Sequence, residues 1–117
     1  MLDIILENFK FLVMEVENQI RSTRKLITDF DFELIDKIEA RDDYIDNLKT
    51  VVENKCFSRI HSTEETLPDK EVHAIRAAHV MSVNLEKIAD FCVNIARQTD
   101  FLSHYAFMHR YPYEEMF

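Results

Sequence analysis

Apolar side chains recur along this chain at spacings of three and four, the period of a helix with one buried face. Over residues 2–28 the stripe is Leu2, Ile5, Leu6, Phe9, Leu12, Val13, Val16, Ile20, Thr23 and Ile27. Phe11 and Met14 widen it, which implies contact with more than one neighbour. A second stripe over 32–60 carries Leu34, Ile35, Ile38, Ile45, Leu48, Val52 and Cys56. A third, in the helix expected over 69–110, places Ile75, Ala78, Met81, Ser82, Leu85, Ile88, Ala89, Cys92, Ile95, Ala96 and Thr99 on one broad face of mostly small side chains. Between the second and third lies the polar stretch HSTEETLPDK, in which Pro68 suits the start of a helix and Asp69 and Glu71 its first turn. The tail crowds Tyr105, Phe107, Met108, Tyr111, Tyr113 and Phe117 together, and Pro112 is expected to end the third helix. Such an aromatic end packs back on the bundle or associates with another copy.

The chain has no Gly and two Pro in 117 residues, which argues against a sheet with tight turns and for long helices joined by few connections. At the break near residue 30, Asp29 or Asp31 is placed to cap the second helix. A connection this short makes neighbouring helices antiparallel. The expected fold is all-α: a single-domain, antiparallel, up-down-up three-helix bundle over residues 1–117, completed by a C-terminal helical extension or by dimerisation. Leftover apolar surface on so small a unit points to a homodimer.

The formal net charge of −8 makes nucleic acid and anionic membrane surfaces poor partners. No apolar run approaches the ~20 residues of a membrane span, and no secretory signal is visible, so a cytoplasmic location is expected. Cys56 and Cys92 both fall on apolar helical faces, as small buried hydrophobes do.

Acidic columns border two of the stripes. Glu86, Asp90 and Asn94 follow one another at every fourth position, with Arg76, His79 and Arg97 nearby. Asp42 and Asp46 repeat the pattern on the second helix, among Glu39, Asp43 and Glu53. Carboxylates one turn apart either share a cation, for which oxygen donors suit hard or borderline metals such as magnesium and manganese, or form a solvated rim. Enzyme chemistry finds no support: without Gly there is no phosphate loop, dinucleotide fingerprint or nucleophile elbow. No Glu has a His three residues later, as di-iron bundles require. The five histidines are scattered.

Leu85-Glu86-Lys87-Ile88-Ala89-Asp90, followed by Asn94-Ile95-Ala96, resembles the LERIGD-x-x-x-NIA signature of the PhoU domain family, regulators of bacterial phosphate uptake. Asp42-Asp43-Tyr44-Ile45-Asp46-Asn47-Leu48 resembles that family's D-x-x-ID-x-L motif. Pro68 followed by Ile75-Arg76, and Met14 with Val16, stand where the family has its P…LR and M…V pairs. The resemblance runs from about residue 2 to 102, and the third-helix motif is its specific part. Two positions depart: Lys87 replaces Arg, losing the bidentate fork, and Ala89 replaces Gly. Family members usually carry two three-helix repeats, and this chain has room for one. The resemblance implies a non-enzymatic regulator that relays phosphate status to a transporter component or histidine kinase, or an adaptor domain beside a sodium/phosphate symporter. It also implies carboxylate-bound metal ions, iron and zinc among them, with Asp42, Asp46, Glu86 and Asp90 as ligands. Asn94, Glu39, Asp43 and Glu53 would complete the shell. A reading of another class is a metal-free helical assembly module whose acidic columns only keep it in solution.

Overall fold

The computed structural model describes residues 2–62 and 66–116, with 106–116 by backbone alone. Three helices follow in order: α1 (Leu2–Thr28), α2 (Phe32–Ile60) and α3 (Asp69–Met116). The chain is an all-α three-helix bundle.

The turn between α1 and α2 shows how a chain without Gly reverses. Asp29 closes α1 by donating its N–H to the Lys25 carbonyl at 2.8 Å. Asp31 is the N-cap of α2: its backbone is extended and its carboxylate accepts from the Glu33 N–H at 3.0 Å. Phe30 between them is half-buried against Leu26, Leu34, Ile35 and Ile38, so the turn is pinned by an apolar plug as well as by its cap. No described residue needs a positive φ. At the other end His61 caps α2 through the Phe57 carbonyl, and Val72 bonds back to the Pro68 carbonyl as α3 begins.

The core stacks in three layers. Ile5, Val52, Cys56, Ile75 and Ala78 fill one end. Leu12, Val16, Ile45 and Ala89 fill the middle. Leu26, Leu34, Ile35, Ile38, Val93 and Ala96 fill the other end. Residue numbers rise together on α1 and α3 through these layers and fall on α2. Hence α1 and α3 run parallel, and α2 runs against both. Ala78, Ala89 and Ala96 let α3 approach its neighbours closely.

Three expectations change. α3 continues through Pro112 to Met116 instead of ending near residue 110. The missing N–H removes one intrahelical bond within two turns of the helix end, and the backbone tolerates it there. The broad α3 stripe is only half covered: Ile75, Ala78, Ser82, Ala89, Cys92 and Ala96 are buried, whereas Met81, Ile88 and Ile95 are exposed. The α1 stripe divides likewise, with Leu6, Ile20 and Ile27 exposed. The tail side chains beyond Tyr105 lie outside the described residues, and so does the expectation that they pack back. Both cysteines are free and buried, and burial raises the Cys56 thiol above its usual range.

Candidate functional site: the α2/α3 seam

The antiparallel register sets the acidic column of α2 against that of α3. Four cross-helix pairs mark it, from one end to the other. Arg59 meets Glu71 at 3.0 Å, Glu53 meets His79 at 3.0 Å, Lys49 meets Glu86 at 3.1 Å and Glu39 meets Arg97 at 3.5 Å. Between the last two, the carboxyl groups of Asp42 and Asp90 face one another within hydrogen-bonding reach.

Lys49 is central to this seam. Its ammonium also reaches Glu53, one turn along α2, at 3.0 Å, and the lysine is largely buried. His79, Glu53, Lys49 and Glu86 therefore form a continuous ladder in which carboxylates alternate with donors. Hydrogen bonds from Lys49, then from His79, hold the Glu53 carboxyl below its usual range. Those to Glu53, then Glu86, raise Lys49 above its own.

Asp42 has the opposite environment. Burial first, then the facing charge and hydrogen bond of Asp90, then Asp43 and Asp46, push its carboxyl from 3.8 up to about 6. The folded chain thus keeps a proton that the unfolded chain releases. Between pH 3.8 and about 6 the native state binds more protons, so stability falls as pH rises across that window and the loss persists above it. Asp42→Asn is expected to stabilise the chain at pH 7.5 by about 1–2 kcal/mol, after allowance for solvent screening. Below pH 3.8 it should make no difference. Thermal denaturation of both proteins at the two pH values checks this.

The eight residues singled out by spacing are now located. Asp42 and Asp90 come together. Asp46 and Asp43 are exposed on α2, close enough for their charges to raise Asp42. Glu86 and Glu53 share Lys49, and Glu39 takes Arg97. Asn94 is exposed and borders an apolar groove that also involves α1. Among the described residues, no three His, Cys, Asp or Glu side chains converge as a metal cage. Asp42 and Asp90 supply two carboxyl groups at one point of the seam, short of such a cage. Glu86 would join only if Lys49 let go.

Lys49 and Arg41 escaped the sequence reading. Lys49 lies four residues before Glu53, a visible helical pairing, but its partner Glu86 depends on register. Arg41 Nη1 spans α2 to α1, donating to the Asn18 carbonyl at 3.0 Å, the Ser22 hydroxyl at 2.8 Å and Gln19 Oε1 at 3.3 Å. Gln19 is fully buried, and its Nε2 donates to the Ile38 carbonyl at 2.7 Å.

A second feature lies on the other side of α3. A groove of about 390 Å³ runs between α1 and α3, lined by Ile20, Ile27, Ile88, Phe91 and Ile95 among others. Among the described residues no helix is long and apolar enough to cross a membrane.

Neither the curated proteins nor the solved structures yield a match. The PhoU domain family does, over residues 12–99. That span holds most of α1, all of α2 and α3 as far as Thr99, with both carboxylate motifs and the seam they form. The chain belongs to the PhoU domain family.

Proposed function

We propose that this domain regulates phosphate transport or phosphate signalling through protein contacts, peripheral to a membrane transporter, with the Asp42–Asp90 pair as its cation-responsive point. The observation that carries the reading is the family match over 12–99, which includes both acidic motifs. The seam supports it: an uncompensated carboxyl pair lies at the junction of two helices, where a bound divalent cation would remove the repulsion that raises Asp42. Binding there would tighten α2 against α3 and alter the surface the two helices present. The partner would be a phosphate transporter component, including a sodium/phosphate symporter, or the histidine kinase that reports phosphate status.

The test is direct binding of the domain to the transporter ATPase and to the kinase, with and without manganese or magnesium. Micromolar binding, weakened by Asp42→Asn with Asp90→Asn, is expected. No binding to either partner in any metal condition would sink the proposal.

One observation favours a second reading, a metal-free assembly module. Lys49 already does for Glu53 and Glu86 what a cation would do. Elemental analysis of protein purified without chelator separates the two, since stoichiometric metal lost in the double variant excludes the module.

A further inference from the structure

Where α2 ends and α3 begins, the seam opens into a pocket that the two carboxylate motifs do not reach. It has a volume of about 310 Å³ and lies between the last turns of α2 and Arg76 and His79 of α3. Its floor is apolar and continuous with the core. Cys56 belongs to the layer of Ile5, Val52, Ile75 and Ala78, and Ile60 packs against that layer. Phe57 also lines the pocket and is 66% exposed. The His61 ring leans on Phe57 with centroids 4.1 Å apart, and it is held there because His61 is the C-cap of α2. Two rings over an apolar floor, with a few polar groups at the edge, are the frame of a small-molecule site.

The polar groups favour an anion. Glu53 is the one carboxylate among the described lining residues, and both of its oxygens are engaged: Oε1 meets Lys49 and Oε2 meets His79, each at 3.0 Å. Its charge is therefore compensated within the protein. Arg76 is different. It is exposed at the pocket and, among the described residues, makes no hydrogen bond or ion pair, although the chain carries 22 Asp and Glu. A guanidinium left open in this way can hold a carboxylate or phosphate through two parallel N–H groups. Asn54 adds an exposed amide at the rim. The C-terminus of α2 and the N-terminus of α3 lie at the same end, so their dipole charges oppose one another and Arg76 decides the sign.

We propose that this pocket binds a small organic anion, its carboxylate or phosphate on Arg76 and its flat apolar body against Phe57, His61 and Ile60. Size favours such a ligand over a bare ion. The volume stands at the lower end of the roughly 300–1,000 Å³ of small-molecule pockets, and a bare oxyanion would leave the apolar floor uncovered. The occupant would touch His79, the end of the ladder that runs through Glu53 and Lys49 to Glu86. The inference stands apart from the phosphate-regulation reading, since it concerns the isolated chain and needs neither a protein partner nor a metal.

Calorimetric titration of the 117-residue chain with phenyl phosphate and with benzoate reads the site, and inorganic phosphate and phenol present its two halves separately. At least one of the aromatic anions should bind with a Kd of about 1 mM or below, and each half roughly tenfold or more weaker. Arg76→Gln should weaken the aromatic anion about tenfold or more, and Phe57→Ala about threefold or more. Both side chains are exposed, so dichroism and melting temperature should match the wild type. Lys37→Gln, at an exposed position elsewhere on α2, should bind as the wild type does. Proton NMR gives a second reading. The ring signals of His61 and His79 should move during the titration, and that of His104, which lies against Phe32 at the other end of the bundle, should not. No saturable binding of either aromatic anion up to about 10 mM would overturn the proposal. So would undiminished binding by Arg76→Gln, or inorganic phosphate binding as tightly as phenyl phosphate.

Discussion

Ile45→Ala is expected to destabilise the domain by about 3–4 kcal/mol, the upper half of the range for such truncations. Ile45 is fully buried in the middle layer, between Leu12 and Val16 of α1 and Ala89 of α3. Its neighbours are held from both ends by the other two layers, so the helices cannot collapse into the space left behind. Ala89 opposite it has no side-chain length with which to fill a gap. For a chain of this size the loss lowers the melting temperature by about 10–20 °C. Thermal or urea denaturation followed by dichroism measures it, at fixed concentration because an associating chain melts in a concentration-dependent way. Ile4→Ala, at a half-exposed position on α1, should shift stability by roughly 0.5 kcal/mol or less. Equal losses at the two positions would mean that the middle layer is not the packed centre.

Arg41→Ala should cost about 2–3 kcal/mol, although the residue is a cation near the surface. The loss would not come from its charge pair with Glu15, which at 3.7 Å and partly exposed contributes little. It would come from Gln19, whose Oε1 is buried and has Arg41 as its donor. With that donor removed, the oxygen pays its full desolvation cost. Arg41→Lys should rescue less than half, because the lysine stem is one bond shorter and its ammonium stops short of the point from which Nη1 reaches Asn18, Gln19 and Ser22. Replacing both ends, Gln19→Leu with Arg41→Met, should be close to neutral. Set against the single substitutions Gln19→Leu and Arg41→Met, that near-neutral double variant would give a coupling of about 2–3 kcal/mol. Additive losses would show that the two side chains act independently.

These two residues also mark what the sequence can and cannot disclose. Ile45 sits on the apolar period of α2, and all seven residues of that stripe are buried or half-buried. The starts and ends of α1 and α2 were legible because caps and turns leave residue-type signatures, as Asp31 does. Gln19 falls at a core position of α1 but is polar, so a hydrophobic pattern passes over it. Its burial makes sense only once Arg41 and the Ile38 carbonyl are seen to meet it. The acidic columns were legible too, and their cross-helix partners were not. A shift of one turn between α2 and α3 would pair Lys49 with a different residue, and only the packed core sets that register. Periodicity likewise counted Met81, Ile88 and Ile95 with the core of α3. A helix pattern records which residues shun water, not whether the neighbour that covers them belongs to the same unit.

The parallel course of α1 and α3 has a consequence along the bundle axis. Each helix carries a macrodipole of roughly half a charge at its ends, positive at the N-terminus. α2 opposes one of its two neighbours and leaves the other uncancelled. A three-helix unit is therefore an electric dipole, with its positive end where α1 and α3 begin. Asp3, Asp69 and Glu71 are in the first turns at that end and offset it. Two such units lying side by side in opposite directions would cancel what remains. An even number of helices is thus the electrostatically closed form of this fold.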